Sequence, residues 1–271
     1  MARKIQTNSL TKDKFLQEYN LHEQFAKSEY KWTDLMKIVS DYSSRKNRFD
    51  EISKDFTNKI MSFEAVHSVR SRVKDVEHLI EKIIRKKVED NKDISVDNYL
   101  TEITDIVGIR ALHVFKKDYL ILHNKILTEY KNLLCENIHI KLRSGDDKSI
   151  YEEIIKKDDP KIEENEVYRS IHYVINYNNE VRVEIQTRTI FEEGWSEANH
   201  KTIYKKNTNN DLLIFSSSIL SSLAGNCDSI AELMRKVDNK IENNKSLNND
   251  DLTIISNKSV VDVLEKFIKD F

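Results

Sequence analysis

The sequence predicts an α/β (α+β) fold: a small mixed β-sheet flanked by helices, with helical extensions at both ends. Three observations carry this. Strand-like and helix-like segments alternate through the middle of the 271-residue chain, and helical patterns occupy both ends. Glycine (4) and proline (1) are too scarce for the many tight turns of an all-β fold. Apolar residues, at 39%, suffice for a core, while charged residues, at 33%, give a wet surface.

Residues 1–62 read as two or three polar helices, with Phe15, Tyr19, Leu21 and Phe25, then Trp32, Leu35, Ile38 and Val39, at helical intervals. Residues 64–89 carry a stronger helical pattern, in which Val66, Val69, Val73, Val76, Leu79, Ile80, Ile83, Ile84 and Val88 mark one apolar face. Asn91–Asn98 is loop-like. Thr104–Phe115 predicts a strand rich in β-branched residues, and Asp118–Leu134 a helix. Residues 143–166, with Gly145 and Pro160, read as a long charged connection. Val167–Tyr177 and Val181–Thr189 predict a hairpin across Asn178-Asn179. Ile190–Lys206 and Leu212–Ile241 predict helices, Asn243–Asp251 a linker and Val260–Phe271 a short amphipathic helix. The expected division is an N-terminal helical extension (1–62), a central α/β domain (63–207) and a C-terminal helical tail (208–271). The tail's apolar positions Leu212, Leu213, Phe215, Ile219, Leu220, Leu223, Ile230, Leu233 and Met234 are expected to pack on the domain, with a homo-oligomer contact as the alternative.

The net charge of −2 gives no overall basic signature of a nucleic-acid binder. Cys135 and Cys227 fit neither a metal spacing nor a disulfide framework, which predicts a reducing compartment. The N-terminus has no apolar run of signal-peptide kind, and no stretch is long enough to span a bilayer. A cytoplasmic protein with no membrane partner is the expectation.

The chemistry starts on the predicted hairpin. Arg182, Glu184, Gln186 and Arg188 alternate with Val181, Val183 and Ile185, so they share a face. Tyr168, Ser170 and His172 share a face of the preceding strand. If the two faces coincide, one surface presents a tyrosine, a histidine, a carboxylate and two arginines; a merely solvated sheet face is the alternative. Asp105 opens the apolar Asp-Ile-Val-Gly-Ile-Arg stretch, as a cap or as a metal ligand. Asp105 with Glu184 suits magnesium, which takes few carboxylates and completes its shell from phosphate and water. No Gly-rich phosphate loop is present, so side chains must grip any phosphate, and Arg70, Arg72, Lys74 and Lys82 are the candidates. Arg72 and Lys74 are two apart; on a helix they diverge, and they converge only at a turn or a helix start.

These residues resemble the synthetase domain of the RelA/SpoT-type alarmone synthetases. Four blocks match in order: Ser-Arg-Val-Lys at 71–74 with Lys82 after it, Asp-Ile-Val-Gly-Ile-Arg at 105–110, Tyr-Arg-Ser-Ile-His-Tyr at 168–173, and Val-Glu-Ile-Gln-Thr-Arg-Thr at 183–189, running on to His200 and Lys201. The resemblance covers roughly residues 64–206 and implies a nucleotidyltransferase-like mixed sheet. It implies a pyrophosphokinase that moves pyrophosphate from ATP to the 3′-hydroxyl of GDP or GTP. In that family Arg72, Lys74 and Lys82, with Arg70 nearby, would bind ATP phosphates, and Asp105 and Glu184 would hold Mg2+ and be catalytic. Tyr168 would stack on the acceptor guanine, His172, Gln186 and Arg188 would shape the acceptor side, and His200 and Lys201 would lie near the phosphates. With no His-Asp dipeptide, a synthetase-only enzyme is expected. Val167 replaces the family's glycine, and 161–166 is acidic, so the acceptor stays open between a guanine nucleotide and the 3′ end of tRNA. A nucleotide-binding module without catalysis is the remaining alternative.

Overall fold

Three helices open the chain: α1 (Lys12–Glu18), α2 (His22–Ser28) and α3 (Trp32–Met61). The computed structural model describes residues 11–143, 148–165, 169–204 and 210–243. Leu35, Ile38, Val39, Tyr42, Phe49, Ile52, Phe56 and Ile60 are buried along α3, the spacing of one helical face. That face packs on strands β1 (Ser68–Val73) and β2 (Val107–His113).

β1 corrects the helix expected over 64–89. Its valines fall at helical intervals, but Ser68, Arg70 and Arg72 alternate with Val69, Ser71 and Val73, and each residue pairs antiparallel with β2, from Ser68↔Leu112 to Val73↔Val107. Tertiary pairing overrides the local pattern. The helix begins only at α4 (Val76–Asp90), which buries Leu79, Ile80, Ile83 and Ile84.

After the short α5 (Tyr99–Glu102), Asp105 lies in the turn that leads into β2, outside the strand predicted to contain it. α6 (Asp118–Tyr130) ends in a 3-10 turn at Lys131–Leu133. β3 (His139–Arg143) was not anticipated. The expected connection 143–166 holds a 3-10 turn (Lys148–Tyr151), α7 (Glu152–Asp158) and β4 (Lys161–Asn165). Its charges hid β4, an exposed strand pairing only with β3 among the described residues.

β5 (Ser170–Tyr177) and β6 (Val181–Thr189) form the predicted hairpin. Asn178 and Asn179 both take positive φ (50° and 58°), and the Glu180 N–H closes the turn on the Tyr177 carbonyl at 2.8 Å. The six described strands run in the order β1-β2-β6-β5-β3-β4, with β2/β6 and β3/β4 parallel. Val181, Val183 and Ile185 of β6 are buried in the core with Ile109 and Tyr173.

α8 (Ile190–Asn199) is shorter than the predicted helix and continues as a π-helical turn, His200–Tyr204. Thr189 caps α8, its Oγ1 accepting the Glu192 N–H at 3.1 Å. α9 (Asp211–Glu242) packs on α8. Its buried positions are Ser221, Ala224, Asp228, Ala231, Glu232 and Leu233. Of the nine apolar positions expected to pack inward, only Leu233 is buried. The inward side carries small and charged groups because it meets two arginines, described below. The linker and terminal helix expected over 243–271 lie outside the described residues, apart from Asn243. No helix among the described residues is long and apolar enough to cross a membrane.

Candidate active site

Strand register builds the site. Across the sheet Arg72 pairs with Gly108 and Gly108 with Glu184; Arg70 pairs with Arg110, Arg110 with Gln186, and Gln186 with His172. Directly opposed residues point to the same face, so Arg70, Arg72, Arg110, Glu184, Gln186, Arg188, Ser170 and His172 share one surface. The two hairpin faces, whose coincidence the alternation leaves open, therefore do coincide. Tyr168, the remaining member of that expected face, lies outside the described residues.

A strand resolves the convergence problem of Arg72 and Lys74. With a period of two, Arg70, Arg72 and Lys74 fall on one side, whereas a helix would scatter them. The Lys74 N–H extends the ladder by donating to the Ile106 carbonyl at 2.9 Å. Its side chain is buried, 8% exposed, and Nζ reaches Asp105 Oδ2 at 2.6 Å; Lys82 Nζ from α4 reaches Oδ1 at 2.7 Å. Burial alone would raise the Asp105 carboxyl, but the Lys82 and Lys74 ammoniums outweigh it and hold the group well below the usual carboxylate range.

Glu184 is held just as closely. His172 Nδ1 lies 3.0 Å from Oε1, and Gln186 Nε2 donates to Oε2 at 2.8 Å. Ser170 Oγ sits 2.6 Å from His172 Nε2. An ionised carboxylate only accepts, so the His172 Nδ1–H donates to Glu184, and the Ser170 hydroxyl faces the other ring nitrogen. Burial pushes the Glu184 carboxyl up and Asp105 adds to this, yet His172 and Gln186 draw it below its ordinary value. Arg188 Nη2 donates to Gln186 Oε1, extending the chain along β6.

One cavity is lined by Arg72, Asp105, Glu184, Gln186, His200 and Lys201, and a second by Arg72, Lys74, Lys82, Asp105 and His200. Sequence-predicted donor and acceptor residues thus meet. Arg70 also lines the first cavity; half-exposed at 55%, its guanidinium meets Glu193 Oε1 (3.2 Å) and Glu197 Oε2 (3.4 Å) on α8. Arg110 contacts the same two carboxylates, at 3.0 and 2.8 Å. Arg110, Glu193 and Glu197 are not singled out by the sequence, which places Ser170 on the candidate face but gives it no role. Alternation outward from Gly108 points to Arg110, and from His172 to Ser170; the α8 partners had no local signal.

Asp105 and Glu184 are hard oxygen donors on one cavity, a set that suits magnesium. Among the described residues no group of three or more His, Cys, Asp or Glu gathers as a metal site. A divalent ion on this pair would draw its other ligands from substrate and water, as magnesium commonly does.

Comparison with known proteins agrees with this architecture. The family model described as "Region found in RelA / SpoT proteins" matches residues 71–209. The chain is 28% identical over 167 residues to GTP pyrophosphokinase YwaC of Bacillus subtilis (strain 168), covering 59% of this chain and 68% of that protein. In fold it is similar to small alarmone synthetase 1 from Bacillus subtilis, with a TM-score of 0.52 at 19% identity over 74% of this chain and 99% of that one. The structure of that synthetase bound to its product pppGpp gives a TM-score of 0.50 at 20% identity, over 75% and 99% of the two chains. With half of its length matched by the family model and the same mixed sheet, the chain belongs to the RelA/SpoT family.

Proposed function

We propose that this chain transfers the β,γ-pyrophosphate of ATP to the 3′-hydroxyl of GDP or GTP, giving ppGpp or pppGpp and AMP. The observation that carries the reading is the pairing of a lysine-clamped Asp105 with a histidine-held Glu184 on one cavity. The family and the name of its 28%-identical relative support the guanine acceptor.

In this reading Lys74, Lys82 and Arg72 exchange Asp105 and solvent for the oxygens of the ATP phosphates. The acceptor lies along His172, Gln186 and Arg188, with Tyr168 stacking on the base and His200 and Lys201 near the phosphates. The 3′-oxygen forms a bond to the β-phosphorus as the bond from that phosphorus to the α,β-bridging oxygen breaks. That electron pair leaves with AMP, and the hydroxyl proton passes to Glu184. Holding the two nucleotides in line and placing cations where charge develops supply most of the acceleration. Asp105 and Glu184 would hold magnesium, which when bound neutralises charge on the phosphates as a Lewis acid. Residues 63–207 would form the catalytic unit, in the cytoplasm where both nucleotides are abundant.

Two acids of the segment 161–166, Glu163 and Glu164, are less hostile to an acceptor phosphate than their sequence implies, while Glu166 lies outside the described residues. Glu163 lies 3.6 Å from Lys141 Nζ, and Glu164 pairs with Lys148. Neutralised acids of this kind are compatible with a nucleotide acceptor and supply no basic track for an RNA backbone.

ATP labelled at the α- or the γ-phosphate tests the reaction class. Pyrophosphate transfer predicts α-label appearing in AMP in step with γ-label appearing on the guanine nucleotide. Label in ADP matching that on the product would instead indicate transfer of a single phosphoryl group and defeat the proposal.

A further inference from the structure

α9 lies beyond the region matched by the family model, yet a buried arginine, Arg169, and a partly buried one, Arg143, from the acceptor half of the sheet reach it. Asp228, on the inward side of α9, is 0% exposed. A carboxylate so placed is costly unless it is paired. Its partner is Arg169, the residue just before β5, whose Nη1 lies 2.8 Å from Asp228 Oδ2 and 3.3 Å from Glu192 Oε1. Arg143, the last residue of β3, donates from Nη2 to the same Glu192 oxygen at 2.6 Å. Gly225, one helical turn before Asp228, makes room for it: a Cβ there would stand 2.3 Å from Arg143 Nη1. A guanidinium fork set between two buried carboxylates has little rotational freedom.

The position of Arg169 in the chain gives this clamp a consequence. It follows Tyr168 directly and leads into Ser170 and His172, the residues that hold Glu184. We propose that Asp228 is a positioning residue for the nucleotide acceptor: by seating Arg169 it fixes the backbone entry to β5, and with it the side chains that receive the acceptor. This rests on the pyrophosphate-transfer reading above. Asp228 touches no substrate. The donor side (Arg72, Lys74, Lys82 and Asp105) sits on β1, α4 and the turn before β2, which contribute nothing to the clamp, so the two substrates should respond differently.

The test is steady-state kinetics on the full chain with magnesium, ATP and GDP, for Asp228→Asn, Arg169→Lys and the double variant, each with its melting temperature. The expected result is an acceptor KM raised about tenfold or more, as displacement by a fraction of an ångström entails, with the ATP KM within about twofold of the parent. The double variant should lose no more than the worse single, because both break one interaction. An unchanged acceptor KM in folded variants, equal changes in both KM values, or failure of both single variants to fold would each overturn the proposal. Parent protein that makes no product from any guanine nucleotide would instead strike the underlying functional reading.

Discussion

Lys74 and Asp105, 31 residues apart in sequence, meet at 2.6 Å where β1 ends beside the turn into β2. Lys82 takes the other carboxylate oxygen. The stronger burial of Lys74, 8% exposed against 19% for Lys82, ranks the two. Lys74→Met leaves Asp105 with one partner in a mostly buried setting and should cost about 3 kcal/mol of stability, whereas Lys82→Met should cost about 1 kcal/mol. Chemical denaturation of both variants measures the difference; equal costs contradict the ranking.

Ser170, His172 and Glu184 form a line in which each holds the next. Glu184→Gln keeps the shape but removes the proposed proton acceptor and should lower kcat by about 100-fold or more. His172→Ala releases one oxygen of Glu184 and should lower kcat by about tenfold to 100-fold. Ser170→Ala acts only through the imidazole and should have the smallest effect of the three. Turnover at saturating ATP and acceptor gives the order; a Ser170 effect equal to that of Glu184 would refute the line.

Arg70 and Arg110 share Glu193 and Glu197 but differ in exposure. Arg70→Ala removes a largely solvated pair and should change stability by less than about 1 kcal/mol. Arg110→Ala strips the buried Glu193 of a closer partner and should cost about 2–3 kcal/mol. Thermal melts of the two variants decide it.

His113, fully buried with Nδ1 2.8 Å from the Phe115 carbonyl, sets a pH dependence. Burial lowers its pKa from 6.5 to about 4, with the Phe115 carbonyl opposing. As pH falls through that window the unfolded chain takes up a proton that the folded chain refuses. Its contribution is therefore complete above the unfolded pKa and is lost toward pH 4, by about 2–3 kcal/mol. His113→Asn should flatten the fall in stability between pH 6.5 and 4, and parallel curves for parent and variant would contradict the assignment.

The hairpin and its polar face were legible because β5 and β6 are consecutive and alternate with the period of a strand. The Lys74–Asp105 clamp was half legible: the residue types were there, but the valines at 66, 69, 73 and 76 imitate a helix, and only pairing with β2 shows Ser68–Val73 to be a strand. β4 was masked by its charges, being an exposed strand that need not alternate. The Arg169–Asp228 contact, 59 residues apart, had no local signature. The tail misled because its leucines and isoleucines suggest burial, while the side of α9 that packs inward is chosen by the arginines it meets.

Pyrophosphate transfer to a guanine nucleotide through Glu184 is the proposal on which the rest depends. The most direct measurement follows γ-labelled ATP with magnesium and, in parallel, GDP, GTP and bulk tRNA, using the purified chain and its Glu184→Gln variant. Label is expected on GDP or GTP, none on tRNA, with loss of that transfer in the variant. Label on tRNA alone, or transfer to a guanine nucleotide undiminished by Glu184→Gln, would contradict it.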